Sequence, residues 1–114
     1  MKPRLYGIKN CDTVKKARAW LDAREIAYDF HDYKISGIDE TRLRAWAADL
    51  GWDRLLNRAG TTFRKLPDTD KEVLDEGRAI ALMLAHPSAI KRPVLDLGER
   101  RLLGFDAAVY EKEI

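Results

Sequence analysis

A short apolar run, Arg4-Leu5-Tyr6-Gly7-Ile8, breaks at Lys9 and gives way after Thr13 to a helical pattern with Val14, Ala17 and Leu21 on one face. Asp12 or Thr13 is expected to cap that helix. A buried strand followed so closely by an amphipathic helix has one natural continuation. A second strand lies parallel to the first, because a right-handed crossover returns the helix to the sheet. Ala27 to Asp32 supplies that strand, with Tyr28 and Phe30 alternating against Asp29 and His31.

The middle of the chain changes period. Ile35 to Ile38, with Gly37, reads as a loop. Asp39 caps a helix with Leu43, Trp46, Ala47 and Leu50 on its apolar face, and Gly51 stops it. Trp52 to Asn57 reads as a short helical turn and Gly60 to Pro67 as a polar connection. Asp70 to His86 is helical in character, with Gly77 as a break or kink and Pro87 as the stop. Pro93 to Leu97 and Arg101 to Leu103 flank Gly98-Glu99 as a β-hairpin, and Phe105 to Ile114 closes with a short helix. The hairpin adds two antiparallel strands to the parallel pair. The expected fold is α/β and thioredoxin-like: a four-stranded mixed sheet with flanking helices and a helical insertion. One domain is expected over residues 1–114, with the insertion at about 39–87. At 46% hydrophobic residues the chain can build a core without disulfides or metal.

Several function classes are disfavoured. The 21 basic and 19 acidic residues leave a net charge of +2, so no concentrated electrostatic grip on nucleic acid is expected. No segment approaches the roughly 18 apolar residues of a membrane span. Met1-Lys2-Pro3-Arg4 leads straight into a strand without the apolar core of a signal peptide, so a cytoplasmic home is expected. Nothing demands more than a monomer. One cysteine and two distant histidines, His31 and His86, give no metal-ligand spacing, and no metal is expected. His31 reads as a strand histidine and His86 as part of a helix stop.

Cys11 is the one nucleophile with a suggestive position. A thiol attacks as thiolate, and an ordinary cysteine has a pKa of about 8.5. Cys11 falls between a strand and a helix, where free backbone N–H groups and the helix dipole favour an anion. Lys9, Lys15 and Lys16 are near in sequence and add positive potential, while Asp12 opposes it. The competing reading is a structural cysteine packed as a small apolar side chain.

The run Tyr6-Gly7-Ile8-Lys9-Asn10-Cys11-Asp12-Thr13-Val14-Lys15-Lys16-Ala17 resembles the active-site loop of the arsenate reductase (ArsC) and Spx-like family, most closely its YffB subgroup. Leu55-Leu56-Asn57-Arg58, Met83-Leu84-Ala85-His86-Pro87, Ile90-Lys91-Arg92-Pro93-Val94 and Leu102-Leu103-Gly104-Phe105 continue the likeness along the chain. The resemblance implies a thioredoxin fold with a helical insertion. It implies Cys11 as redox nucleophile, Arg58 and Arg92 as oxyanion-binding arginines, and a cis Arg92-Pro93 bond facing the thiol. Guanidinium forks suit oxyanions and carboxylates and also stabilise a thiolate.

Three departures redirect the reading. Gly104 stands where arsenate reductases of this type carry a third arginine, and Gly7 where they carry a histidine. Val14 stands where Spx-type regulators often carry a second cysteine, so no internal disulfide can form. A single thiol needs an outside thiol to resolve its adducts, and glutathione is the abundant cytosolic one. The expected function is a glutathione-dependent thiol reductase with Cys11 catalytic and glutathione as co-substrate, no cofactor being bound. Lys9, Asn10, Arg58, Arg92 and Pro93 would hold glutathione, another small thiol or an oxyanion. Arsenate reduction is the first alternative. A Spx-like regulatory protein binding RNA polymerase is the second.

Overall fold

The computed structural model describes residues 2–58, 60–67 and 75–114. Two compact units emerge, Met1–Ser36 with Arg92–Ile114, and Gly37–Lys91. The first holds a four-stranded sheet in the order β2-β1-β3-β4. Strand β1 (Arg4–Gly7) runs parallel to β2 (Asp29–Asp32), with Leu5 opposite Phe30 and Tyr6 opposite His31. On its other side it runs antiparallel to β3 (Val94–Asp96), with Leu5 opposite Leu95 and Tyr6 opposite Val94. Strand β4 (Arg101–Leu103) pairs antiparallel with β3 at the edge. The expected parallel pair and hairpin are both present. Gly98, at φ +92°, makes the hairpin turn, and its N–H donates to the Asp96 carboxylate at 2.9 Å.

Side-chain alternation along the strands sorts the sheet into two faces. Leu5 and Leu95 meet Val14, Ala17 and Leu21 of helix α1 (Asp12–Ala23), and Tyr110 of the terminal helix, in one buried core. Full burial of each leucine contributes about 1.5–3 kcal/mol, which locks α1 to that face. Tyr6 and His31 share the opposite face, with ring centroids 4.8 Å apart. This is the thioredoxin-like arrangement expected from the sequence.

Within Gly37–Lys91 the chain is helical: α3 (Glu40–Leu50), α4 (Trp52–Leu55), α5 (Thr61–Arg64), α6 (Glu76–Ala85) and a 3-10 turn at Pro87–Ala89. Its buried side chains include Leu43, Trp46, Leu55, Ile80 and Met83. Asp39 caps α3 as expected, accepting from Arg42 N–H at 2.8 Å. Leu56 bridges Ile90, and Asn57 N–H donates to the Ala89 carbonyl at 2.8 Å, pinning the chain just after α4 to the segment that follows α6. Among the described residues no helix is long and apolar enough to cross a membrane.

Five local expectations are corrected. The loop expected from Ile35 begins inside a helical turn, α2 (Tyr33–Ser36), started by Asp32 accepting from Lys34 N–H at 2.8 Å. The polar connection from Gly60 contains α5, which buries Phe63. Gly77 is not a kink; it lies in the first turn of α6, where Asp75 caps Arg78 N–H at 2.8 Å. The stretch from Asp70 to Leu74, expected to be helical, lies outside the described residues. The last helix, α7 (Ala107–Glu113), starts only after Asp106, which accepts from Ala108 N–H at 3.0 Å. Neither Asp12 nor Thr13 caps α1, because Cys11 holds that position.

Candidate active site

The site follows from strand order. Because β1 and β3 are antiparallel neighbours, the exit of β1 and the entry of β3 lie at the same end of the sheet. Cys11 follows the first, and Arg92-Pro93 precede the second. The turn after β1 closes when Cys11 N–H donates to the Ile8 carbonyl at 3.1 Å. The Cys11 carbonyl then accepts from Lys15 N–H at 2.9 Å, the first bond of α1. Cys11 is extended, at φ −84° and ψ 128°, and half-buried. Its sulfur therefore sits where the first N–H groups of a helix lack intrahelical partners.

Opposing forces act on that sulfur. Burial pushes the Cys11 thiol up. The backbone N–H groups of Val14 and Thr13 pull it down, as does the Arg92 guanidinium, by its charge and by a hydrogen bond to the sulfur. The stabilising group outweighs burial, and the thiol lies below its ordinary value. The side chain completes no capping hydrogen bond of full geometry, so the two N–H groups act chiefly as dipoles. The cation on the sulfur comes from the far end of the chain, while Lys9, Lys15 and Lys16 are exposed. The Arg92-Pro93 bond is cis, and the buried Pro93 accepts from Gly104 N–H at 2.8 Å.

Of the other expected residues, Lys9 and Asn10 lie exposed in the turn before Cys11. Lys9 also borders a cavity of about 310 Å³ with Arg18, Phe30, Asp32, Ile35 and Ser36. Arg58 belongs to the helical unit, exposed, its guanidinium 5.7 Å from the Trp52 ring centroid. His31 lies in β2 against Tyr6, and His86 is exposed at the end of α6. Among the described residues no three of His, Cys, Asp and Glu are grouped to hold a metal ion.

Sequence reasoning passed over Tyr33. It is buried, its ring lies 6.3 Å from that of Tyr6, and its hydroxyl has no hydrogen-bond partner among the described residues. Burial pushes the phenol far up and Tyr6 adds to this, while Arg92 pulls it back. Arg92 thus acts on both the thiol and a buried phenol. Tyr33 opens a turn, directly after β2, that is too short to show a period, so only its size signalled a core position.

The departures from the family pattern have steric meaning. A Cβ on Gly7 would meet Val14 Cγ2 at 2.6 Å. Gly7 and Val14 are thus one packed pair, and the valine fills the space that a side chain at position 7 would need. Gly104, at φ +76°, has open space around a Cβ, but its backbone disfavours any side chain.

The ArsC family model matches residues 6–113. A solved YffB protein is 61% identical, covering 97% of each chain with a TM-score of 0.95. A solved arsenate reductase (ArsC) related protein from Brucella melitensis is 50% identical, covering 99% of this chain and 94% of its own, with a TM-score of 0.79. Among curated proteins, an uncharacterised Haemophilus influenzae protein is 40% identical over 94% of each chain. A global transcriptional regulator Spx from Streptococcus mutans is 26% identical over 90% of this chain and 75% of its own length. The match runs through the β1 turn, Cys11 and Arg92-Pro93, and the chain belongs to the ArsC family.

Proposed function

We propose that this protein is a glutathione-dependent thiol reductase with Cys11 as its single nucleophile. The observation that carries the reading is the Arg92 guanidinium on the Cys11 sulfur at the start of α1, which favours the thiolate. In the first step the thiolate attacks the glutathione sulfur of a substrate mixed disulfide. An S–S bond to Cys11 forms, the old one breaks, and the substrate leaves as its thiolate, taking a proton from water. A second glutathione thiolate then attacks the Cys11 adduct, releasing oxidised glutathione and restoring the Cys11 thiolate. The sum is one disulfide reduced by one glutathione, with a second already in the substrate. Lys9, Asn10, Arg92 and Pro93 would hold glutathione for these steps. Such chemistry belongs to a reducing compartment such as the cytoplasm, and a monomer suffices for it.

Alkylation of Cys11 against pH, with intact mass after incubation in oxidised glutathione, tests the reading. The expected result is a midpoint below the ordinary thiol range and a single glutathione adduct. An ordinary midpoint without adduct overturns it. The role that the resemblance gives Arg58 is tested by Arg58→Gln, and unchanged kinetics would remove it.

Arsenate reduction is the second reading, favoured by the Brucella relative at 50% identity. Gly104 in place of a third arginine argues against it. The expected outcome is no arsenate-dependent consumption of reducing equivalents in a coupled assay, and robust turnover would reverse the order of the two readings. Co-elution with RNA polymerase would instead favour the role named for the Spx relatives.

A further inference from the structure

The cavity beside the thiol loop sets Lys9 together with two charged side chains, Arg18 and Asp32, that the chemistry at Cys11 does not use. Its walls are Lys9, Arg18, Phe30, Asp32, Ile35 and Ser36, and its volume is about 310 Å³. Arg18 is already oriented: its Nε donates to the Tyr28 hydroxyl at 3.2 Å, and its guanidinium carbon lies 4.4 Å from the Phe30 ring centroid. Among the described residues its terminal nitrogens and the Lys9 ammonium have no ion-pair partner. Asp32 gives one carboxylate oxygen to Lys34 N–H at 2.8 Å. Its other oxygen is uncommitted among the described residues, as is the Ser36 hydroxyl. Ile35, 83% exposed, borders the same cavity and adds an apolar edge to it.

Two cations, one carboxylate and one hydroxyl around a small half-apolar cavity select a ligand bearing both charges close together. We infer that this cavity is a binding site for the α-amino-acid head of a small thiol peptide, the γ-glutamyl end of glutathione. Its carboxylate meets Arg18 and Lys9, its ammonium meets the free Asp32 oxygen, and its methylene stem lies along Phe30 and Ile35. The volume is at the low end for ligand pockets, about 300 Å³, and suits one arm of a tripeptide rather than a larger molecule. Lys9 is two residues before Cys11, within about 7 Å along the chain, so a head seated here and a sulfur at Cys11 belong to one small molecule. Arg92 and the cis-proline junction are left for the cysteinyl part of the ligand.

This inference rests on the glutathione reading of the site, and the test separates the two. S-Methylglutathione, whose sulfur cannot react, is titrated into the full chain while backbone amide shifts are followed. Saturable shifts at Lys9, Phe30, Asp32 and Ser36 are expected. The analogue lacking the α-ammonium should bind the wild type about fivefold more weakly, the scale of one exposed ion pair. Asp32→Asn should bind S-methylglutathione that much more weakly and no longer distinguish the two ligands, whereas a merely structural aspartate would leave the discrimination intact. Arg18→Gln should weaken both ligands alike. Absent shifts, or an Asp32→Asn protein that still discriminates, overturn the cavity assignment. A Cys11 adduct with oxidised glutathione alongside absent shifts removes the cavity and keeps the reductase. Shifts without any adduct keep the cavity and remove the thiol chemistry.

Discussion

Cys11 shows how a thiol can be half-buried and still favour its charged form. Burial opposes the thiolate, and two backbone dipoles with one guanidinium more than offset it. Arg92 is the member of that group that mutation can remove cleanly. Arg92→Gln should move the midpoint of Cys11 alkylation to higher pH and slow the reaction near neutrality, since the burial remains while its largest side-chain counterweight goes. Arg92→Lys should recover part of the shift, because a point charge lacks the planar fork. Iodoacetamide rates across pH, read by intact mass, check both, and an unmoved midpoint would refute the coupling. Gly7 is the second sensitive residue. A methyl at 2.6 Å from Val14 Cγ2 overpacks the junction of β1 and α1, so Gly7→Ala should cost about 1–3 kcal/mol in chemical denaturation. Val14→Ala in the same chain should return part of that cost, because the clash is with one side chain.

The helices are held by caps as much as by their apolar faces. Asp39, Asp75 and Asp106 each accept from backbone N–H groups at the start of α3, α6 and α7. Asp106→Ala should lower stability by about 1 kcal/mol and fray α7, whose Tyr110 closes the core over α1. Thermal melts followed by far-ultraviolet circular dichroism check this, and Asp106→Asn should retain most of the lost stability. Such caps explain what the sequence made legible. Asp39 precedes a clear apolar stripe ending at Gly51, so α3 is readable, as are the β1-α1-β2 crossover and the hairpin around Gly98. The turns Tyr33–Ser36 and Thr61–Arg64 are too short to display a period, and the residues before them, Asp32 and Gly60, resemble ordinary loop residues. Cys11 as a helix cap is hidden because cysteine is not among the usual capping residues, with Asp12 and Thr13 beside it as better candidates. The approach of Arg92 to the thiol was legible only through the family resemblance. Physically it depends on β1 and β3 pairing across a long intervening segment, which no local pattern records.

Across the molecule these titrations act in opposite directions, and together they set a stability optimum. Cys11 has a lower pKa folded than unfolded, so between those values the unfolded chain binds the extra proton. Stability therefore rises with pH through that window, and its contribution is fully present above the ordinary thiol value. Tyr33 and Tyr110 behave in the reverse sense. Burial pushes both phenols up, with Tyr6 adding to the effect at Tyr33. Their contribution is complete below about pH 10, the unfolded phenol value, and is lost as pH climbs beyond it, because only the unfolded chain can release those protons readily. The midpoint of urea denaturation should thus climb as pH passes from the folded to the unfolded thiol value, peak between the thiol and phenol ranges, and fall steeply on the alkaline side. Cys11→Ser should flatten the climb and leave the alkaline fall in place. Tyr33→Phe should soften the fall, since one phenol no longer has to ionise on unfolding, and its hydroxyl has no hydrogen-bond partner among the described residues to lose. A Tyr33→Phe chain with an unchanged alkaline limb would show that Tyr110, sealed against Trp20 and Phe105, governs that limb alone. An unchanged limb in Tyr110→Phe as well would refute the assignment of alkaline unfolding to the buried phenols.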